Sequence, residues 1–200
     1  MTFVDSFLAE TKMIIDSINR DDIEAVVESL VQTRDSGGRL FLAGSGGGAG
    51  HASHATCDFR KLCGFEAYCV TDNVSELTAR INDDGWDSSL AMWLKSSRIS
   101  KNDALLIFSV GGGSEQPAVS VNLVQAVMTA SEVGARILGI VGRNGGYVRQ
   151  NCTASVLIPQ GDLNRITPQV EGLQAVIWHL LVSHPRLLKS MTKWESVTQR

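Results

Sequence analysis

From residue 39 onward the chain alternates short, unbroken apolar runs closed by glycine or serine with longer amphipathic stretches, and that rhythm restricts the fold more than any other feature. The runs are 39–45 (RLFLAGS), 66–71 (EAYCVT), 104–110 (ALLIFSV), 135–142 (ARILGIVG) and 154–159 (ASVLIP). Apolar residues that follow one another without alternation belong to strands covered on both faces, as in parallel sheets. Intervals of about 30 residues leave room for a crossover helix each time. The expectation is a five-stranded, parallel, doubly wound α/β sheet.

The first 36 residues keep a helical period instead. Phe3, Phe7, Ile14 and Ile18 form one apolar series, and Ile23, Val26, Val27, Leu30 and Val31 form the next. Asn19-Arg20-Asp21-Asp22 separates them and offers an N-cap for the second, so a helical hairpin is expected. A last amphipathic segment, 167–187, broken only at Ser183-His184-Pro185, should be the closing helix. The expected organisation is one domain over 1–200, with a hairpin (1–36), an α/β core (37–188) and a polar tail (189–200). A chain of this length buries roughly 70% of its unfolded surface, so its core needs neither disulfides nor a structural metal.

Charge and cysteine usage narrow the function classes. With 18 basic against 21 acidic residues the formal charge is −3, which gives no global attraction to nucleic acid or to an anionic membrane. No run approaches the length of an apolar membrane span, and the N-terminus lacks a basic stretch followed by a long apolar one. Cys57, Cys63, Cys69 and Cys152 form no C-x-x-C pair. Reduced thiols in a cytoplasmic protein that binds neither nucleic acid nor membrane are therefore expected.

The clearest chemical signal is Gly44-Ser45-Gly46-Gly47-Gly48-Ala49-Gly50, placed where the first strand ends and a helix begins. Glycines there let the backbone approach a ligand, and free N–H groups at a helix N-terminus favour an anion such as phosphate. A second small-residue turn, Ser109-Val110-Gly111-Gly112-Gly113-Ser114, closes the third run. The two turns should flank the crevice at the carboxyl ends of the strands, with hydroxyls at Ser45, Ser109 and Ser114 as donors. Gly44, Gly46 and Ala49 also fit the dinucleotide pattern G-x-G-x-x-A. That pattern wants an acidic residue about 20 positions on, and the nearest candidate, Asp72, lies 28 after Gly44, which disfavours a nicotinamide enzyme.

His51, His54 and Asp58 follow the first turn at i, i+3 and i+7, on one face of the next helix, while Cys57 is rotated off that face as a packing thiol. In the closing helix Glu171 and His179 stand eight residues apart. A histidine inside an apolar run is commonly a core residue. Two helices each offering a carboxylate and an imidazole can instead complete a tetrahedral N/O site for a metal such as zinc. Asn82-Asp83-Asp84-Gly85-Trp86 fits either a turn between helices or a carboxylate held over the crevice.

In this joint order the pieces resemble the sugar isomerase (SIS) domain proteins and, within them, the phosphoheptose isomerases. The shared features are the helical hairpin, the Gly-Ser loop, an H-x-x-x-acid helix, an N-D-x-G turn, an S-x-x-G-x-S loop and a T-P-x-x-[QE] helix with a histidine eight residues later. The resemblance implies a flavodoxin-like fold and a ketose/aldose isomerase that converts sedoheptulose 7-phosphate to a heptose 7-phosphate through an enediol. It further implies a divalent metal, zinc, and a homotetramer with sites at subunit junctions.

Carried over by position, the family's metal or acid/base residues fall on His54, Asp58, Glu171 and His179, and the carboxylate beside the sugar falls on Asp83. Its phosphate serines fall on Ser109 and Ser114, its loop asparagine on Ser45, and the backbone cradle on Gly46, Gly47, Gly48, Gly112 and Gly113. The chain departs from the family where Gly48 replaces a serine, where S-V-G-G-G-S replaces S-T-S-G-N-S, and where Asp58 and Glu171 replace a glutamate and a glutamine. The alternative is a phosphosugar-binding or protein-interaction module without turnover, as in the SIS-type protein that binds a replication initiator.

Overall fold

The computed structural model describes residues 2–190, so nearly all of the expected polar tail lies outside the described residues. Two helices come first, α1 (Phe3–Ser17) and α2 (Arg20–Asp35). A Thr2/Asp5 capping box starts α1, and Asn19 caps α2 by accepting from the Asp21 N–H, at the position expected from sequence.

Five strands follow with their crossovers. They are β1 (Leu40–Gly44), α3 (Gly47–Cys63), β2 (Ala67–Cys69), α4 (Val74–Asp84), α5 (Ser89–Ser96), β3 (Ala104–Ser109), α6 (Val121–Glu132), β4 (Arg136–Val141), α7 (Gly146–Asn151), β5 (Ala154–Leu157) and α8 (Ile166–Ser183). All pairings are parallel, in the order β2-β1-β3-β4-β5. The chain reverses direction across the sheet between β1 and β3, which leaves a crevice at their carboxyl ends.

Unbroken hydrophobicity has its physical counterpart in burial. Every residue of β1 is buried, as is all of β3 up to Ser109. One face of the sheet packs Leu40, Leu42, Leu106 and Phe108 against α2, α3 and α8; the other packs Phe41, Leu105 and Ile107 against α5 and α6. Each such side chain contributes roughly 1.5–3 kcal/mol by leaving water.

Two departures from the sequence pattern have simple causes. The expected single crossover between β2 and β3 is split at Gly85, whose φ of 83° ends α4. Asn82, Asp83 and Asp84 accordingly form the last turn of α4 and not a free loop. The second strand is shorter than its apolar run because a turn begins after Val70, whose N–H still bonds Leu42.

The hairpin is anchored by a buried carboxylate: Glu10 on α1 takes Arg165 at 2.6 Å and the Asp162 N–H, tying the hairpin to the start of α8. The other side of α1 leaves Phe3, Val4, Leu8, Met13 and Ile15 exposed. No helix among the described residues is long and apolar enough to cross a membrane.

Candidate functional site

The crevice at the β1/β3 carboxyl ends is an open cleft of 720 Å³, lined among others by Ser45, Gly48, Ser109, Gly113, Ser114, Arg143, Asn144, Thr167 and Glu171. Its walls are set by backbone packed on backbone. At Gly48, the first turn of α3 lies so close to β3 that a Cβ would stand 2.5 Å from the Phe108 carbonyl oxygen. A side chain at this position, such as the serine of the family pattern, would require that backbone to shift. At Gly112, with φ +73°, a Cβ would stand 1.8 Å from the Gly145 carbonyl oxygen. The Tyr147 and Val148 N–H groups donate to the Gly113 and Gly112 carbonyls, so the loops after β3 and β4 are locked together.

Within this frame the hydroxyls are oriented for donation. Ser45 Oγ accepts from Asn122 Nδ2 at 3.1 Å, and Ser109 Oγ accepts from the Gly112 N–H at 3.0 Å. Each oxygen thus takes its hydrogen bond from the protein, and its own O–H is free to donate to an anion. Asn122 is fully buried on α6, and its Oδ1 has no partner among the described residues. Sequence reasoning passed over Asn122; the available signal is an amide at the second position of the largely apolar helix that follows the second glycine turn.

A second constellation lies further along α3 and α8. His54, Asp58 and His179 each offer one ligand atom, and these atoms lie within 4.8 Å of one another. The His179 Nδ1–H donates to the Ala175 carbonyl at 2.7 Å, which fixes the tautomer and turns Nε2 outward as the free nitrogen. Trp178, buried beneath, stacks on His179 and meets His54 edge-on, with centroids 3.5 and 4.7 Å apart. Ligands about 2.0–2.1 Å from a tetrahedral zinc stand roughly 3.4 Å apart, so small rotamer changes would close the set. Two imidazoles and a carboxylate, with one position left open, are a donor set that fits such an ion.

Glu171 does not join that set. Eight residues from His179 along α8, roughly 12 Å of helix, its carboxylate is turned to the first glycine turn, where a Cβ on Gly47 would meet both oxygens at 2.6 Å. The four groups expected around one ion are therefore divided, three in the cluster and Glu171 in the cleft. His51, absent from the expected ligand set, stands between them. Burial pushes its imidazole below the ordinary range, against the upward pull of the Glu171 carboxylate and a hydrogen bond to the Glu171 backbone. Its position one turn before His54 was the signal available.

Other expectations separate from the site. Asp83 is exposed at the end of α4, bonded by Asn82 Nδ2, and does not line the cleft. Cys57 is exposed, not packed as expected, because its face of α3 looks out to Arg60 and Lys61 over a shallow pocket. Thr167 and Arg143 line the cleft without having been singled out from sequence.

Comparison with known proteins agrees with this architecture. The sequence profile of the SIS domain matches residues 2–142. The lincomycin biosynthesis protein LmbN of Streptomyces lincolnensis is 29% identical over 195 residues, covering 92% of this chain and 69% of LmbN. A phosphoheptose isomerase of Aliarcobacter butzleri is 26% identical over 185 residues, covering 89% of this chain and 92% of its own. Among solved structures, phosphoheptose isomerase GmhA from Neisseria gonorrhoeae superposes with a TM-score of 0.77 at 22% identity, covering 90% of this chain and 94% of that one.

Proposed function

Because the chain belongs to the SIS domain family, we propose that it is a sugar-phosphate isomerase that interconverts sedoheptulose 7-phosphate and an aldoheptose 7-phosphate. The observation that carries this reading is the pairing, on the same two helices, of a serine-lined cleft holding one carboxylate, Glu171, with the His54, Asp58 and His179 cluster. Its relatives include proteins named phosphoheptose isomerase.

Ketose to aldose conversion moves a proton between adjacent carbons through an enediol, and it needs a base, an acid and stabilisation of the developing oxyanion. Glu171 lies in the cleft where a sugar phosphate would place its reacting carbons, and it takes the proton from one and returns it to the other. His179 has its Nε2 outward, and in the metal-free protein that nitrogen serves the proton that passes between the two oxygens. Ser45, Ser109 and Ser114, with the backbone of Gly46, Gly47, Gly48, Gly112 and Gly113, hold the phosphate. His54 and Asp58, with His179 at hand, would hold a divalent ion such as zinc, and that ion, when bound, supplies Lewis-acid polarisation of the carbonyl.

The exposed apolar face of α1 suits packing of copies into a homotetramer, in which a neighbouring copy would complete the cleft. A cytoplasmic location completes the proposal. Incubating the purified chain with sedoheptulose 7-phosphate, with and without a chelator, should give an aldoheptose phosphate whose rate of formation falls on chelation. No isomerised product under any metal condition would overturn the catalytic reading and leave a phosphosugar-binding module.

A further inference from the structure

Arg143 sits in the cleft without an assigned role. Of the described residues lining that space it is the one cation, as Glu171 is the one carboxylate. The arginines nearest it on the C-terminal side, Arg149 and Arg165, are tied to Asp22 and Glu10. Arg143 makes neither an ion pair nor a side-chain hydrogen bond with any described residue, Glu171 included. An exposed arginine without a carboxylate is ordinary on a protein surface. One held at the mouth of a cleft whose walls present hydroxyl donors is placed where an anion would be.

The backbone beneath it points the same way. Arg143 has φ +53°, the left-handed region that residues with a Cβ adopt at a cost of about 1–2 kcal/mol. Its loop is otherwise rich in residues that take such angles freely, with Gly142, Gly145 and Gly146 on either side. A glycine at 143 would relax the turn, yet this position carries the longest cationic side chain. That side chain lies against the second glycine turn: the Cβ position of Gly111 is 3.7 Å from Arg143 Cδ, ordinary van der Waals contact, which sets the arginine stem beside the Ser109–Ser114 loop.

Charge balance gives the position a function. The hydroxyls of Ser45 and Ser109 and the amides of the glycine turns are neutral donors, and Glu171 adds a negative charge to the same cleft. The chain's formal charge of −3 supplies no background field to offset a phosphate dianion. A guanidinium can, and its planar fork matches two phosphate oxygens at once.

We infer that Arg143 is the residue by which this cleft selects a phosphorylated ligand, gripping its phosphate. This rests on the sugar-phosphate reading above and adds to it the source of the anion preference.

The test uses the full chain and inorganic phosphate as the probe, titrated calorimetrically against wild type, Arg143→Gly and Arg143→Lys, with thermal melting as the folding control. Arg143→Gly should melt no lower than wild type, since the left-handed angle is free for glycine, while its phosphate affinity falls roughly tenfold or more. Arg143→Lys should lie between the two, keeping the charge and losing the fork. Wild-type affinity should weaken with ionic strength more steeply than that of Arg143→Gly.

Phosphate affinity unchanged within about twofold in Arg143→Gly, or no phosphate binding by wild type, would overturn the inference. Phosphate binding that depends on Arg143 in a protein that isomerises no ketose phosphate would uphold the inference and sink the isomerase reading. Turnover of sedoheptulose 7-phosphate with KM and kcat unaffected by Arg143→Gly would do the reverse.

Discussion

The two ends of the α3/α8 pair are built on opposite principles. At their N-terminal turns the cleft is defined by missing atoms: a Cβ on Gly44 would lie 2.3 Å from the Gly48 backbone, one on Gly48 2.5 Å from Phe108 O, and one on Gly112 1.8 Å from Gly145 O. Further along the same helices the metal-type cluster is defined by side chains that are present, on helix faces with His54 exposed and Asp58 and His179 half-buried. Side chains cannot be added to the first region without moving backbone, whereas those of the second can be changed without disturbing the fold. The cleft should therefore fail structurally when altered, and the cluster chemically.

The largest effect tests the structural half. Gly112→Ala places a methyl inside the Gly145 carbonyl and forces a left-handed angle on a residue with a Cβ, at a cost of roughly 4 kcal/mol. Urea unfolding should show an unfolding free energy lower by that amount or no folded protein; a loss below about 1 kcal/mol would mean that the two loops are not locked as described. Next comes Glu171→Gln, the chemical exception inside the cleft, where loss of the base should lower kcat by about 10²–10³ with little change in KM or in melting temperature. A parallel fall in Tm would reassign Glu171 to the cleft's structure. Asp58→Ala should follow, weakening zinc affinity on the order of 100-fold, measured by competition with a chromogenic chelator. Its unfolding free energy should stay within about 1 kcal/mol of wild type when both are metal-free.

How much of this was legible in the sequence follows the same division. The strands, the hairpin and the His54/Asp58 pair could be recognised because each leaves a period or a spacing along one element. The closing helix came with them. Glu171's separation from the cluster could not be recognised, because spacing places residues on a helix face and says nothing of which way a half-buried side chain turns along it. Asn122 and Arg143 also escaped, since one matters through a partner distant in sequence, Ser45, and the other faces a cleft assembled from segments far apart in the chain. The glycine at position 48 was visible as a departure, but its close approach to the Phe108 carbonyl was not, because Phe108 belongs to a strand distant in sequence.

A third region, at the opposite end of the sheet, sharpens the contrast because it is neither cleft nor cluster. Asp103, buried just before β3, takes the Arg39 N–H at 2.8 Å, Arg39 Nη2 at 2.9 Å and the Ser100 N–H at 2.8 Å. Burial by itself would raise its pKa, but the bonds from Arg39 and Ser100 outweigh it and hold the carboxyl below the ordinary 3.8. A carboxyl whose pKa is depressed on folding stabilises the native state above its unfolded pKa, and that contribution fades as pH falls through the folded value. Asp103→Asn should thus cost roughly 2 kcal/mol at neutral pH, with the gap to wild type steady down to about pH 5 and closing below the unfolded value. Urea midpoints at pH 7, 5 and 3 measure it. Because this pair lies at the amino ends of the strands, phosphate affinity and zinc affinity should not move with it, and a change in either would mean that the sheet transmits strain between its two ends.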